Sequence, residues 1–185
     1  RVTEILNHKR VETPASRKAI LFQGALIMLA YGNRYAADQF LAHVPDSLQP
    51  CHLVAAGGIA GTVTLAHEDK EDPTIIEPIG LLANQHGVVN IADFAPHRIP
   101  AQRRPEVIAV LGTAMNSGKS TTMACLINGL TASGRRVTAG KITGTGAGND
   151  PMIYHDAGAA RVLDFTDFGY PTTFKLNMAD IKALT

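Results

Sequence analysis

The chain has 185 residues, 45% of them apolar, and a formal net charge of +1. That size and composition suit one large globular domain or two small ones. Near-neutral charge gives no electrostatic case for nucleic acid or a membrane surface, and the longest apolar run near the start, Ala25 to Tyr31, is too short to cross a bilayer. The two cysteines, Cys51 and Cys125, lie far apart and read as buried free thiols, Cys125 on the inner face of a helix. With no signal-peptide pattern, that usage makes the cytoplasm the default location.

Taken in order, residues 1–17 form a polar extension with a short helix carrying Val2, Ile5 and Leu6, stopped by Pro14. Lys18 to Phe22 and Ala25 to Tyr31 read as short strands around a Gln23-Gly24 hairpin or bulge. Asn33-Arg34-Tyr35 is a polar break, which with Asp38 makes either a structural turn or a substrate contact. Asp38 to His43 suits a helical turn or a strand. Apolar runs at His52 to Ala56, Ile59 and Thr62 to Ala66 are punctuated by Gly57-Gly58 and Gly61. Such glycines mark bulges or tight corners. A charged turn, HEDKEDP from His67, precedes Thr74 to Ala83; a second turn, Asn84 to Gly87, precedes a strand at Val88 to Ile91. Residues 18–95 thus read as a small β-rich module, a barrel or an open sheet with one helix. Residues 96–105, rich in proline and arginine, read as a linker.

From residue 106 the pattern changes to alternating strand and helix. Val107 to Leu111 is an unbroken apolar run suited to a buried parallel strand. Gly112, Thr113, Ala114, Met115, Asn116, Ser117 and Gly118 form a turn of mostly small residues, and Lys119, Ser120 and Thr121 begin a helix running to Thr131. Met123, Leu126, Ile127 and Leu130 share one face of it, and Gly134 caps it. Strand, loop and helix in that order form a phosphate-binding loop. Loop amides and the helix N-terminus would surround a β-phosphate, Lys119 would reach the β- and γ-oxygens, and the Ser120 hydroxyl would hold Mg²⁺.

The second strand is expected at Val137 to Ile142, followed by a flexible glycine-rich loop, Thr143 to Asn149. A helix follows with Asp150 as N-cap and Pro151 first, ending near Gly158; then come a third strand at Arg161 to Phe165 and a last helix at Asn177 to Leu184. Loops at the carboxyl ends of neighbouring parallel strands share a crevice, so Lys141 and Asp150 would meet the same phosphates. Lys141 would neutralise transferred charge and Asp150 would hold Mg²⁺, although a solvated lysine and a mere N-cap fit the same pattern. Asp164 and Asp167 are second-rank candidates. His155-Asp156 is not a base pair, because adjacent helical residues diverge. No histidine or cysteine spacing suggests zinc.

The G-T-x4-G-K-S loop, with glycine at Gly112 and Thr113 after it, resembles dethiobiotin synthetase and the molybdopterin-guanine dinucleotide biosynthesis adaptor. The stretch Lys141 to Asp150 and the Ala157-Gly158-Ala159 helix end resemble the same proteins, over about residues 106–165. The resemblance implies an α/β P-loop domain with a parallel sheet, binding ATP or GTP with Mg²⁺. Its implied activity is phosphoryl transfer to a carboxylate-like small molecule, with Lys119 and Lys141 as catalytic groups; the alternative is an adaptor that binds nucleotide without turnover. Residues 106–185 make about half of the ~150 such a sheet usually takes. The expectation is therefore an incomplete sheet, either truncated after Thr185 or leaning on another chain in a homo-oligomer.

Overall fold

A computed structural model describes residues 1–97 and 105–185. The strands in chain order are β1 (Val2–Glu4), β2 (Arg10–Glu12), β3 (Lys18–Ile20), β4 (Ala30–Tyr31), β5 (Arg34–Tyr35), β6 (Phe40–His43) and β7 (Cys51–Ala55). After them come β8 (Ile59–Ala66), β9 (Ile75–Ile76), β10 (Ala83–Asn84), β11 (Gly87–Val88), β12 (Thr138–Lys141) and β13 (Arg161–Asp164). The α-helices are α1 (Lys119–Ala132), α2 (Asn149–Asp156) and α3 (Met178–Ala183).

The main sheet has seven strands in the order β1-β9-β7-β8-β6-β5, with β4 added to β8. Its path is open, and apart from the parallel β4–β8 pairing its ladders are antiparallel. β6 alternates buried Phe40 and Ala42 with half-buried Leu41 and His43, the period-two pattern of a strand with one covered face. That settles the open choice at Asp38 to His43: the chain turns at Ala36 to Gln39, then runs as a strand. β7 is buried at Cys51, Leu53, Val54 and Ala55. These side chains divide between a core of Val2, Leu21, Cys51, Leu53, Ala60 and Ile76 and a second group of Ala42, Val54, Ala55 and Ile59.

β8 changes partners along its length. Ile59 and Ala60 pair with β4 on one edge, and Thr62 to Ala66 pair with β6. Gly61 stands at the handover, where a Cβ would lie 3.0 Å from His43 O and 3.3 Å from Gly32 O. Two backbones approach this closely only at a residue without a side chain.

The amino-terminal segment is extended, contrary to the expected helix. Val2 is pulled into the sheet by pairing with Ile76, and β2 forms a hairpin with β3 around Pro14. The expected hairpin at Gln23-Gly24 is absent, since β3 pairs backwards with β2, and of Ala25 to Tyr31 only the last two residues form a strand. A buried hydroxyl ties this region together: Thr74 Oγ1 donates to His8 O and accepts from Leu6 N, both at 2.9 Å.

The expected parallel α/β P-loop fold is not what forms. Among the described residues the one wholly parallel sheet is the two-stranded pair β12–β13, and most of the chain is antiparallel β-structure. Val107 to Leu111 makes no strand; Val107 is 79% exposed and Leu111 89%. An apolar run supplies the composition of a buried strand but not a hydrogen-bonded neighbour, and no such neighbour lies among the described residues. Of the expected linker 96–105, residues 98–104 lie outside the described residues.

α1 nevertheless forms where expected. It packs Ile127, with Met123 and Ala124, on Ala139 of β12 and on Tyr154 and Ala159. Cys125 faces solvent rather than the core. Gly134, at φ +83°, donates to Thr131 O and terminates the helix. Among the described residues no helix is long and apolar enough to cross a membrane.

His8 is wedged in the β-module, its ring centroid 5.7 Å from that of Phe40. Burial, with the Arg34 guanidinium adding to it, pushes the imidazole down to about 4. Between pH 6.5 and 4 the unfolded imidazole gains a proton that the folded one refuses, so stability is lost as pH falls. Allowing for partial exposure, the loss is on the order of 2 kcal/mol. His8→Gln should flatten that part of the stability-pH curve in urea titrations at pH 7 and 4.5; equal losses in both proteins would contradict it.

Candidate functional site

Two places carry the sequence-predicted residues. The first is the loop before α1. Asn116 (φ +62°) and Gly118 (φ +86°) are left-handed, a backbone sequence that lets successive amides converge. Gly112 lies against the far end of the loop: a Cβ there would overlap Ser117 Oγ and stand 2.8 Å from Lys119 Cγ. The Lys119 ammonium folds back over the loop, donating to Ala114 O and, at 3.1 Å, to Ser117 Oγ. Among the described residues no side chain caps the N-terminus of α1, and its first turn holds no acid to answer the partial positive charge there. Thr113, Met115, Ser120 and Thr121 belong to the same turn.

The second place is the carboxyl end of the parallel pair, where Lys141 and Asp164 are register partners. The Lys141 ammonium makes an ion pair with Asp150 Oδ2, and both side chains are about four-fifths buried. Asp150 therefore has a role other than the expected N-cap. α2 starts at Asn149, with Gly148 as its cap residue, which places Asp150 inside the first turn and aims its carboxylate at the end of β12. Pro151 is tolerated there because first-turn amides have no intrahelical acceptor.

Asp164 is the residue whose importance the sequence understated. It is 6% exposed; Oδ1 accepts from Thr166 N at 2.8 Å, while Oδ2 is buried without a hydrogen-bond partner. Desolvation raises its carboxyl above the ordinary value, against the opposing pull of Thr166 and Lys141. Asp164 N donates in turn to Asp167 Oδ2 at 2.8 Å, completing a capping box on the 3₁₀ turn Phe165–Phe168. The L-D-F-T-D-F spacing, Asp followed by Asp three residues on, was the signal for that box.

The loop after Lys141, expected to be flexible, is clamped. Gly146 lies so close to Gly57, in the β7–β8 turn, that a Cβ on Gly57 would overlap Gly146 O. Gly146 N donates to Pro171 O, and Gly144 N donates to Thr173 Oγ1 at 2.8 Å. Gly148 N donates to Glu12 Oε2 at 2.7 Å, while Glu12 N donates to Ala56 O. Thr172 Oγ1 donates to Asn33 O, the rings of Tyr35 and Phe174 meet at 5.7 Å, and Lys175 Nζ lies 3.3 Å from His43 Nδ1. The polar break at Asn33 to Tyr35 is thus a docking point for residues 172–174, and nothing in the sequence pointed to Glu12.

The hydrogen bonds of Lys119 stay in its own loop and that of Lys141 goes to Asp150. Among the described residues no group of three or more His, Cys, Asp or Glu side chains is placed to hold a metal ion. No protein-family model, no curated protein and no solved structure matches the chain.

The Lys141–Asp150 pair lends itself to a direct test. Asp150→Ala leaves a desolvated ammonium beside Asp164, and the cost should be about 1–3 kcal/mol. Urea denaturation at pH 7 reads this as a lower midpoint with unchanged slope; an unmoved midpoint would mean the pair contributes nothing.

Proposed function

We propose that the chain binds the polyphosphate of a nucleoside triphosphate, ATP or GTP, through residues 112–121. The observation that supports this best is the Lys119 ammonium lying across a glycine-bounded loop that ends at an uncapped helix N-terminus. Such a loop presents donors without acceptors, which is the chemistry an anionic phosphate needs. In this reading the amides of Ala114 to Gly118 take the β-phosphate. Lys119 exchanges Ala114 O and Ser117 Oγ for phosphate oxygens, a charge-assisted replacement for two bonds to neutral acceptors. The Ser120 hydroxyl is the group suited to Mg²⁺. Asp150 suits the metal less well, because its carboxylate already answers an ammonium.

Binding without turnover is favoured over phosphoryl transfer to a carboxylate. Transfer would require Lys141 at the phosphate, and Lys141 is committed to Asp150 in a partly buried pair. A small-molecule acceptor and a kinase or ligase reaction remain the second reading, and they require that pair to open.

Isothermal titration with Mg²⁺-ATP and Mg²⁺-GTP tests the proposal. Lys119→Ala should weaken the preferred nucleotide roughly 10–100-fold, the worth of one charge-assisted contact. Gly112→Val should do the same by driving a side chain into Ser117 and Lys119. Unchanged affinity in Lys119→Ala would falsify the phosphate site.

A further inference from the structure

A cleft of about 370 Å³ opens beside Asp164 and is independent of the loop before α1. Its walls are apolar: Met152 from α2, Val162 and Leu163 from β13, and Pro14 from the β2–β3 turn. Asp164 and Asp167 supply its acidic groups. Asp164 lines the cleft, is more than nine-tenths buried, and its Oδ2 has no hydrogen-bond partner among the described residues. A buried carboxylate oxygen left this way carries its full desolvation cost, so a ligand donor that reached it would gain what the fold gives up. The Lys141 ammonium is already paired with Asp150, and beside the Asp164 and Asp167 carboxylates the other titratable group on the wall is the His155 imidazole.

We infer that this cleft is a binding site for a primary ammonium carried on a short aliphatic chain. The ammonium bonds to Asp164 Oδ2, Asp167 adds attraction from the rim, and Met152, Val162 and Leu163 cover the hydrocarbon. A compact cation with three donors suits the site better than a neutral hydroxyl, because the carboxylate offers acceptors only. Hydrocarbon walls on the same cleft favour an alkyl amine over a bare metal ion, which would need several oxygens rather than a methionine and two aliphatic side chains.

The test is NMR titration of the full isotope-labelled chain with n-hexylamine, and with n-hexanol as the uncharged match. Hexylamine should shift the Asp164 side-chain carboxyl carbon and the Thr166 and Met152 amides saturably. Hexanol should bind at least tenfold more weakly. Asp164→Asn should weaken hexylamine at least tenfold; asparagine retains an oxygen to cap Thr166 N, so the 3₁₀ turn survives. Met152→Lys, on the exposed face of α2, sets a cation at the rim and should weaken hexylamine tenfold without touching Asp164. Equal binding of hexanol and hexylamine, or hexylamine affinity unaltered in both variants, overturns the inference.

Discussion

β8 hydrogen-bonds to three other strands, and the remaining architecture follows from how its two edges are shared. One edge takes β7 in an antiparallel ladder. The other passes from β4 to β6 at Gly61, the residue whose missing side chain lets His43 O and Gly32 O approach. That handover fixes where the chain emerges on either side. It puts Asn33 where Thr172 can bond to it, and it leaves the β7–β8 turn, with Gly57, facing the glycine loop that follows Lys141.

The clamp on that loop accounts for the state of Lys141. A glycine-rich segment loses more backbone entropy on ordering than any other kind, about 1–2 kcal/mol per residue before side chains are counted. Bonds from Gly144, Gly146 and Gly148 to Thr173, Pro171 and Glu12 offset that loss. Once the loop is held, α2 starts in a fixed position, and Asp150 meets Lys141 in a setting where both are largely removed from water. Neither partner is cheap to separate afterwards, because each would leave the other charged and desolvated.

The loop before α1 is the opposite case. It is exposed, its lysine is satisfied by its own backbone and by Ser117, and α1 holds its C-terminal end through Ile127 while the apolar run before it is uncovered. A ligand there would meet preformed curvature at Asn116 and Gly118 and would need little more than the release of Lys119. The two places thus differ in how much structure is committed to one lysine.

Local chemistry was legible at several helix ends and strand positions, but not in the amino-terminal segment, which is extended rather than helical. α1 ends at Ala132, two residues before Gly134, α3 begins after Asn177, whose side chain accepts from Asp180 N, and β12 and β13 fall within the expected runs. The helix ends depend on residues within a turn of one another, so the sequence by itself determined them, while the two strands also needed each other. Partnership was not legible. Val2 became a strand because Ile76 pairs with it, Val107 to Leu111 did not because no described strand does, and Asp150 turned from cap to counter-ion because β12 delivers Lys141 beside it. Those outcomes belong to the tertiary structure alone. A strand is defined by a neighbour's backbone and an ion pair by a distant side chain, and an apolar pattern records only that a residue prefers to leave water, not what it will meet when it does.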